Sequence, residues 1–83
     1  MNTESKIKLE DVLKNYFYKE VEITFNANYT PRGYLIGIKL PIKEMIMLYF
    51  IQSKNIEKYL RHKSRRWVEQ LPLESMQEIQ EGS

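Results

Sequence analysis

The chain contains no cysteine and a single histidine, His62. Without thiols there are neither disulfides nor thiolate metal sites to support a small core. One imidazole leaves a zinc site or a His-based nucleophile with almost nothing to draw on. Gly33, Gly37 and Gly82 are the only glycines, and they are too dispersed for a phosphate-cradling loop. The longest apolar run, Met45 to Ile51, falls far short of the roughly 20 residues that cross a bilayer. The opening MNTESKIKLEDV has no apolar stretch after its lysines, so it does not read as a secretory leader. These absences predict a soluble, cytoplasmic protein with no cofactor, no metal and no membrane partner.

Catalysis is equally short of material. Serines and threonines lack a base partner unless His62 serves, and His62 sits among basic side chains on what reads as a solvated face. Glu10–Asp11 and Glu20/Glu22 occupy exposed positions of a helix and a strand. The sequence therefore predicts a protein that is not an enzyme.

What remains is a small globular balance. With 83 residues, 42% apolar and 29% charged, residues 1–83 make one domain that buries about 60–65% of its unfolded surface. Residues 1–4 and 81–83 are expected to fray.

The net charge of +2 conceals a strong asymmetry. Residues 1–53 are nearly balanced. Lys54, Lys58, Arg61, Lys63, Arg65 and Arg66 then face only Glu57, and Glu69, Glu74, Glu78 and Glu81 follow with no base. A basic block directly precedes an acidic tail.

Helix and strand periods divide the chain. Leu9, Val12, Leu13, Tyr16 and Phe17 form the stripe of a first helix over about 5–18, capped by Thr3 or Ser5. Val21, Ile23 and Phe25 alternate with polar residues as a half-buried strand. NANYTPRG (26–33) is the strongest turn signal, and alternation resumes with Tyr34, Ile36, Ile38 and Leu40. Two alternating runs about one turn make an antiparallel hairpin. The 41–52 segment reads either as a third strand over about 44–52 or as a short buried helix. Ile56, Leu60, Trp67 and Leu71 align on one stripe of a helix from about 55 to 71, with Lys58, Arg61, His62, Arg65 and Arg66 opposite. Pro72 ends that helix, and residues 73–80 form a last acidic turn or short helix.

The expected fold is thus α+β: a helix, an antiparallel β-hairpin or three-stranded meander, a basic amphipathic helix and a short acidic C-terminal helix. Both main helices are expected on one sheet face. Leu35 with Met45 or Met47 would lie on the other, an apolar patch suited to self-association as a homodimer or to docking.

Lys54, Lys58, Arg61, Arg65 and Arg66 are the candidate nucleic-acid contacts, since cations at helical spacing can track a phosphate backbone and release its counterions. Most of the ten aromatics fall on core stripes. Tyr18, Tyr29 and Tyr34 do not; Tyr29 and Tyr34 with Arg32 are the candidate protein contacts. The two functional readings are a nucleic-acid-binding or regulatory protein, and an inhibitor or adaptor that binds a host protein, encoded by a phage or other mobile element.

In element order, helix–three strands–helix is similar to double-stranded RNA-binding domains, and also to small phage-type inhibitors of host proteins. With 42–52 as a helix, Ile36-Gly37-Ile38-Lys39-Leu40-Pro41 resembles the ribbon-helix-helix repressors. That resemblance implies a dimer whose strand pairs across the two-fold axis, with Leu35, Gly37 and Lys39 toward the bases and Ile36, Ile38 and Leu40 inward.

Overall fold

The computed structural model describes residues 7–39 and 45–82. Along the chain run α1 (Leu9–Asn15), β1 (Glu20–Thr24), β2 (Arg32–Lys39), β3 (Met47–Gln52), α2 (Ile56–His62), β4 (Glu69–Pro72) and β5 (Glu78–Glu81). Single 3-10 turns occupy Ser53–Asn55, Arg65–Trp67 and Leu73–Ser75. The strands form one antiparallel sheet in the order β4-β3-β2-β1-β5. The class is mixed α+β, as expected, with more sheet than expected.

The hairpin is built as its alternation indicates. Val21 and Ile23 are fully buried, and Glu20, Glu22 and Thr24 face the other way. Its turn closes at Asn26–Tyr29, where the Asn26 side-chain oxygen accepts from the Asn28 backbone N–H at 2.7 Å.

One irregularity in β2 redistributes its side chains. The register to β3 slips between Leu35 and Gly37, a bulge that changes which residues face the core. Leu35 pairs with Phe50 and Ile38 with Leu48, so both turn toward the core; Ile36 and Gly37 turn outward. Leu35 is consequently fully buried and no part of an outer apolar patch. The uninterrupted alternation of Tyr34, Ile36 and Ile38 does not survive the bulge.

The third-strand reading of 44–52 holds as β3, lying between β2 and β4; residues 40–44 are outside the described residues. Burial on both faces explains its continuous apolar run, with Leu48 and Phe50 in the core and Ile51 buried on the opposite side. A ribbon-helix-helix arrangement needs a helix where β3 stands.

The helices are shorter than their stripes. α1 has one fully buried residue, Val12, and Leu13 is 45% exposed. The proposed caps Thr3 and Ser5 lie outside the described residues. α2 stops at His62 because Lys63 enters the left-handed region at φ 54°. Trp67 and Leu71 therefore do not continue its stripe, and Leu60 is 58% exposed. Leu71 enters the core from β4, opposite Leu48. The acidic segment is no helix: after the 3-10 turn at Leu73–Ser75, β5 pairs with β1, including Val21↔Glu81. Gly82 N–H donates to the Glu20 carbonyl at 2.7 Å, so Glu81 and Gly82 are held rather than frayed.

Val12, Leu73 and Met76 pack with the buried strand residues on one face of the sheet. No α2 residue joins that cluster. Instead Tyr59 of α2 and the following Lys63 share a recess with the outward residues Ile36, Tyr49 and Gln70. The two helices therefore serve opposite faces, not one.

Candidate nucleic-acid interface

The end of α2 and the turn after it set the geometry of the basic block. Lys63 N–H donates to the Tyr59 carbonyl at 2.6 Å, closing the helix. Ser64 Oγ accepts from Arg66 N–H at 3.2 Å, and Val68 N–H donates to the Arg65 carbonyl at 2.9 Å, fixing the tight turn at Arg65–Trp67. This pinned turn sends neighbouring cations to different places. Arg66 lines a recess of about 570 Å³ with Lys58, Arg61, His62, Ser64 and Trp67. Arg65 lines the second recess, of about 440 Å³, with Lys63, Tyr49 and Tyr59. Lys54 lies exposed in the turn that enters α2 and borders neither recess.

Trp67 is the centre of the first recess. The Lys58 ammonium lies 5.0 Å from its ring centroid and the Arg66 guanidinium carbon 5.2 Å. Such contacts hold cations at the surface without neutralising them. The indole Nε1–H is buried and has no hydrogen-bond partner among the described residues. The helical stripe assigned Trp67 to a core-facing helix position; its part in the basic surface was hidden by the unforeseen break at Lys63.

None of the five candidate cations is paired with a carboxylate among the described residues, where the ion pairs are Lys19–Glu81 and Arg32–Glu22. The acidic tail does not fold back over them. β5, carrying Glu78 and Glu81, forms the edge of the sheet opposite β4. The basic elements sit over the middle of the sheet: α2 packs on β3, the Ser53–Asn55 turn packs on β2, and Ser53 Oγ donates to Glu20 on β1. Glu69, nearer the basic turn, accepts from the Gln52 side-chain amide. Among the described residues, no ion pair joins the glutamates of the acidic segment to the five candidate cations.

The three candidate protein contacts do not form one surface. Tyr29 stacks on Phe25, whose ring packs against the core, with centroids 5.3 Å apart. Arg32 and Tyr34 alternate onto the other face. Arg32 is engaged there: Nη1 donates to the Gly82 carbonyl at 2.7 Å, and Nη2 lies 4.0 Å from Glu22 Oε1. Tyr18, exposed at 74% with φ 62°, packs edge-on against Phe17 and donates its N–H to the Leu35 carbonyl at 3.0 Å.

Lys63, Tyr59, Tyr49 and Gln70 complete the second recess and were not singled out from the sequence as site residues. Among the described residues, no cluster of three His, Asp or Glu side chains could hold a metal, and no helix is long and apolar enough to cross a membrane. The chain matches no protein-family model, no curated protein and no solved structure.

Proposed function

We propose that this is a non-enzymatic nucleic-acid-binding protein that contacts phosphates through Lys54, Lys58, Arg61, Arg65 and Arg66. The observation that supports the reading is that these cations are exposed and without carboxylate partners among the described residues. All five stand on α2 and its two flanking turns. Unneutralised cations in that arrangement suit a polyanion, because each phosphate contact releases condensed counterions. Arg61, Arg65 and Arg66 supply forked donors for phosphate oxygens, and the lysines act as point charges.

The test is fluorescence anisotropy with labelled duplex and single-stranded DNA and RNA at about 50 and 200 mM salt. Five duplex phosphate contacts give a log–log slope near −4.5, or about a 500-fold loss of affinity over that range. Arg61→Ala with Arg65→Ala should weaken binding and reduce that loss to about 40-fold. Nucleic-acid affinity unchanged in the double variant, or no binding at 50 mM salt, would overturn the reading.

A further inference from the structure

The second recess differs in kind from the first. Its floor is the outward face of the sheet, where Tyr49 lies directly between Gly37 on β2 and Gln70 on β4. Gly37 leaves room for the aromatic: a Cβ there would stand 3.1 Å from Tyr49 Cδ2. The ring thus lies across the neighbouring strand as a flat surface. Tyr59 from α2, Lys63 and Arg65 after it, and Gln70 on β4 line the recess with Tyr49, beside the apolar Ile36 and Val68. Two aromatic rings, one side-chain amide and two cations with no ion-pair partner among the described residues thus share a recess of about 440 Å³.

These are the groups that an unstacked nucleobase and its phosphates require. Every base offers a π-face, so aromatic stacking binds single strands with little sequence preference, while cations track the backbone. A duplex keeps its bases stacked and cannot offer one to such a recess. The amide presents both a donor and an acceptor to a base edge. The Lys63 ammonium now rests 5.5 Å from the Tyr59 ring centroid. An exposed cation–π contact of that kind is weaker than a base–aromatic stack, so an arriving base displaces the lysine toward the phosphate beside it.

We propose that this recess receives an unpaired base of single-stranded nucleic acid, stacked on Tyr59 over the Tyr49 floor. Gln70 meets the base edge, and Lys63 and Arg65 contact the flanking phosphates. The proposal rests on the phosphate-contact reading above and names its substrate class as single strands.

The test compares labelled dT and rU 12-mers with a 12-base-pair duplex, using the full chain with Tyr59→Ala, Tyr59→Phe and Gln70→Ala. The unaltered protein should prefer the single strands. Tyr59→Ala should lower single-strand affinity roughly 5- to 150-fold and leave duplex affinity and its salt slope unchanged. Tyr59→Phe should restore single-strand binding, since stacking needs the ring and not the hydroxyl. Gln70→Ala, at an exposed strand position, should lower affinity for the dT and rU 12-mers and leave the duplex unchanged. It decides the matter if Tyr59→Ala fails to fold, single-strand affinity unchanged in Gln70→Ala then overturning the proposal. Equal binding of duplex and single strands, or affinity unaffected by Tyr59→Ala, overturns this proposal and leaves phosphate contact standing. Absence of binding to any of the three probes at 50 mM salt overturns both.

Discussion

Lys63 folds back on Tyr59 twice, through a 2.6 Å hydrogen bond from its N–H to the Tyr59 carbonyl and through an ammonium 5.5 Å from the ring centroid. It does so at φ 54°, a conformation that glycine adopts freely and a side chain does not. The left-handed backbone costs a non-glycine residue about 1–2 kcal/mol, and glycine's extra unfolded-state freedom returns about 0.5–1 kcal/mol of that. Lys63→Gly should therefore stabilise the fold by about 0.5–1 kcal/mol, raising Tm by roughly 3–6 °C. The same change should weaken single-strand binding. Thermal denaturation followed by circular dichroism, alongside anisotropy, checks both; a fall in Tm would show that the lysine's contacts outweigh its strain.

Gly33 lies on β2 where no side chain fits beside β3. A Cβ at this position would collide with the Ile51 carbonyl oxygen and come within 2.7 Å of the end of the Phe50 ring. The oxygen belongs to the backbone and cannot yield without parting the two strands. Gly33→Ala should cost about 3 kcal/mol, the upper end of ordinary overpacking, a large share of the roughly 4–12 kcal/mol expected for a domain of this size. Urea titration of the variant measures it. A loss below 1 kcal/mol would mean that the strands can separate easily there.

Two leucines distinguish the actual core from the helical stripe. Leu35 is fully buried against Phe50 and Val12 belongs to the same cluster, whereas Leu60 is 58% exposed. Leu35→Ala should destabilise by about 2–5 kcal/mol. Leu60→Ala should stay within about 0.5 kcal/mol of the unaltered protein. The reverse order in urea titrations would place the α2 stripe, not the β2 bulge, at the centre of folding.

Trp67 is the only tryptophan, and it has two cations over its ring. Polyanion binding at Lys58 and Arg66 should draw those cations from the indole and change its emission intensity. The change should follow the same binding curve as anisotropy and disappear with rising salt. Anisotropy without any change in emission would place the contact away from this recess.

The hairpin was legible because period-two alternation and an Asn/Pro/Gly turn agree on it, and β3 because its run is apolar on both faces. The β2 bulge was not: nothing in Leu35-Ile36-Gly37 signals an extra residue, yet it decides which side chains are buried. The basic helix was misread for a local reason. Ile56, Leu60, Trp67 and Leu71 satisfy a helical period, but the helix ends at Lys63, where the usual glycine signal is missing. Pro72 fits an edge strand as readily as a helix stop, and β4 is an edge. β5 has only Ile79 to mark it, and its pairing with β1 supplies what its composition lacks. The candidate cations were therefore picked out by charge alone, while the aromatic recess beside Arg65 depended on where the helix ended.

The pairing of β5 with β1 also governs the order in which the molecule assembles. β2 and β3 pair with strands close in sequence, but Thr24 pairs with Glu78, far along the chain. Loop closure of that span is paid in chain entropy before any contact rewards it, so this step should be late and slow. Until it occurs, Ile23 lacks its partner Ile79 and β1 is an open edge, able to pair with another unfinished chain. The glutamates of β5 then have a second use, since like charge on an arriving strand repels its counterpart on a neighbouring molecule. Dilute refolding should be clean, and concentrated refolding should lose material during the interval before β5 arrives.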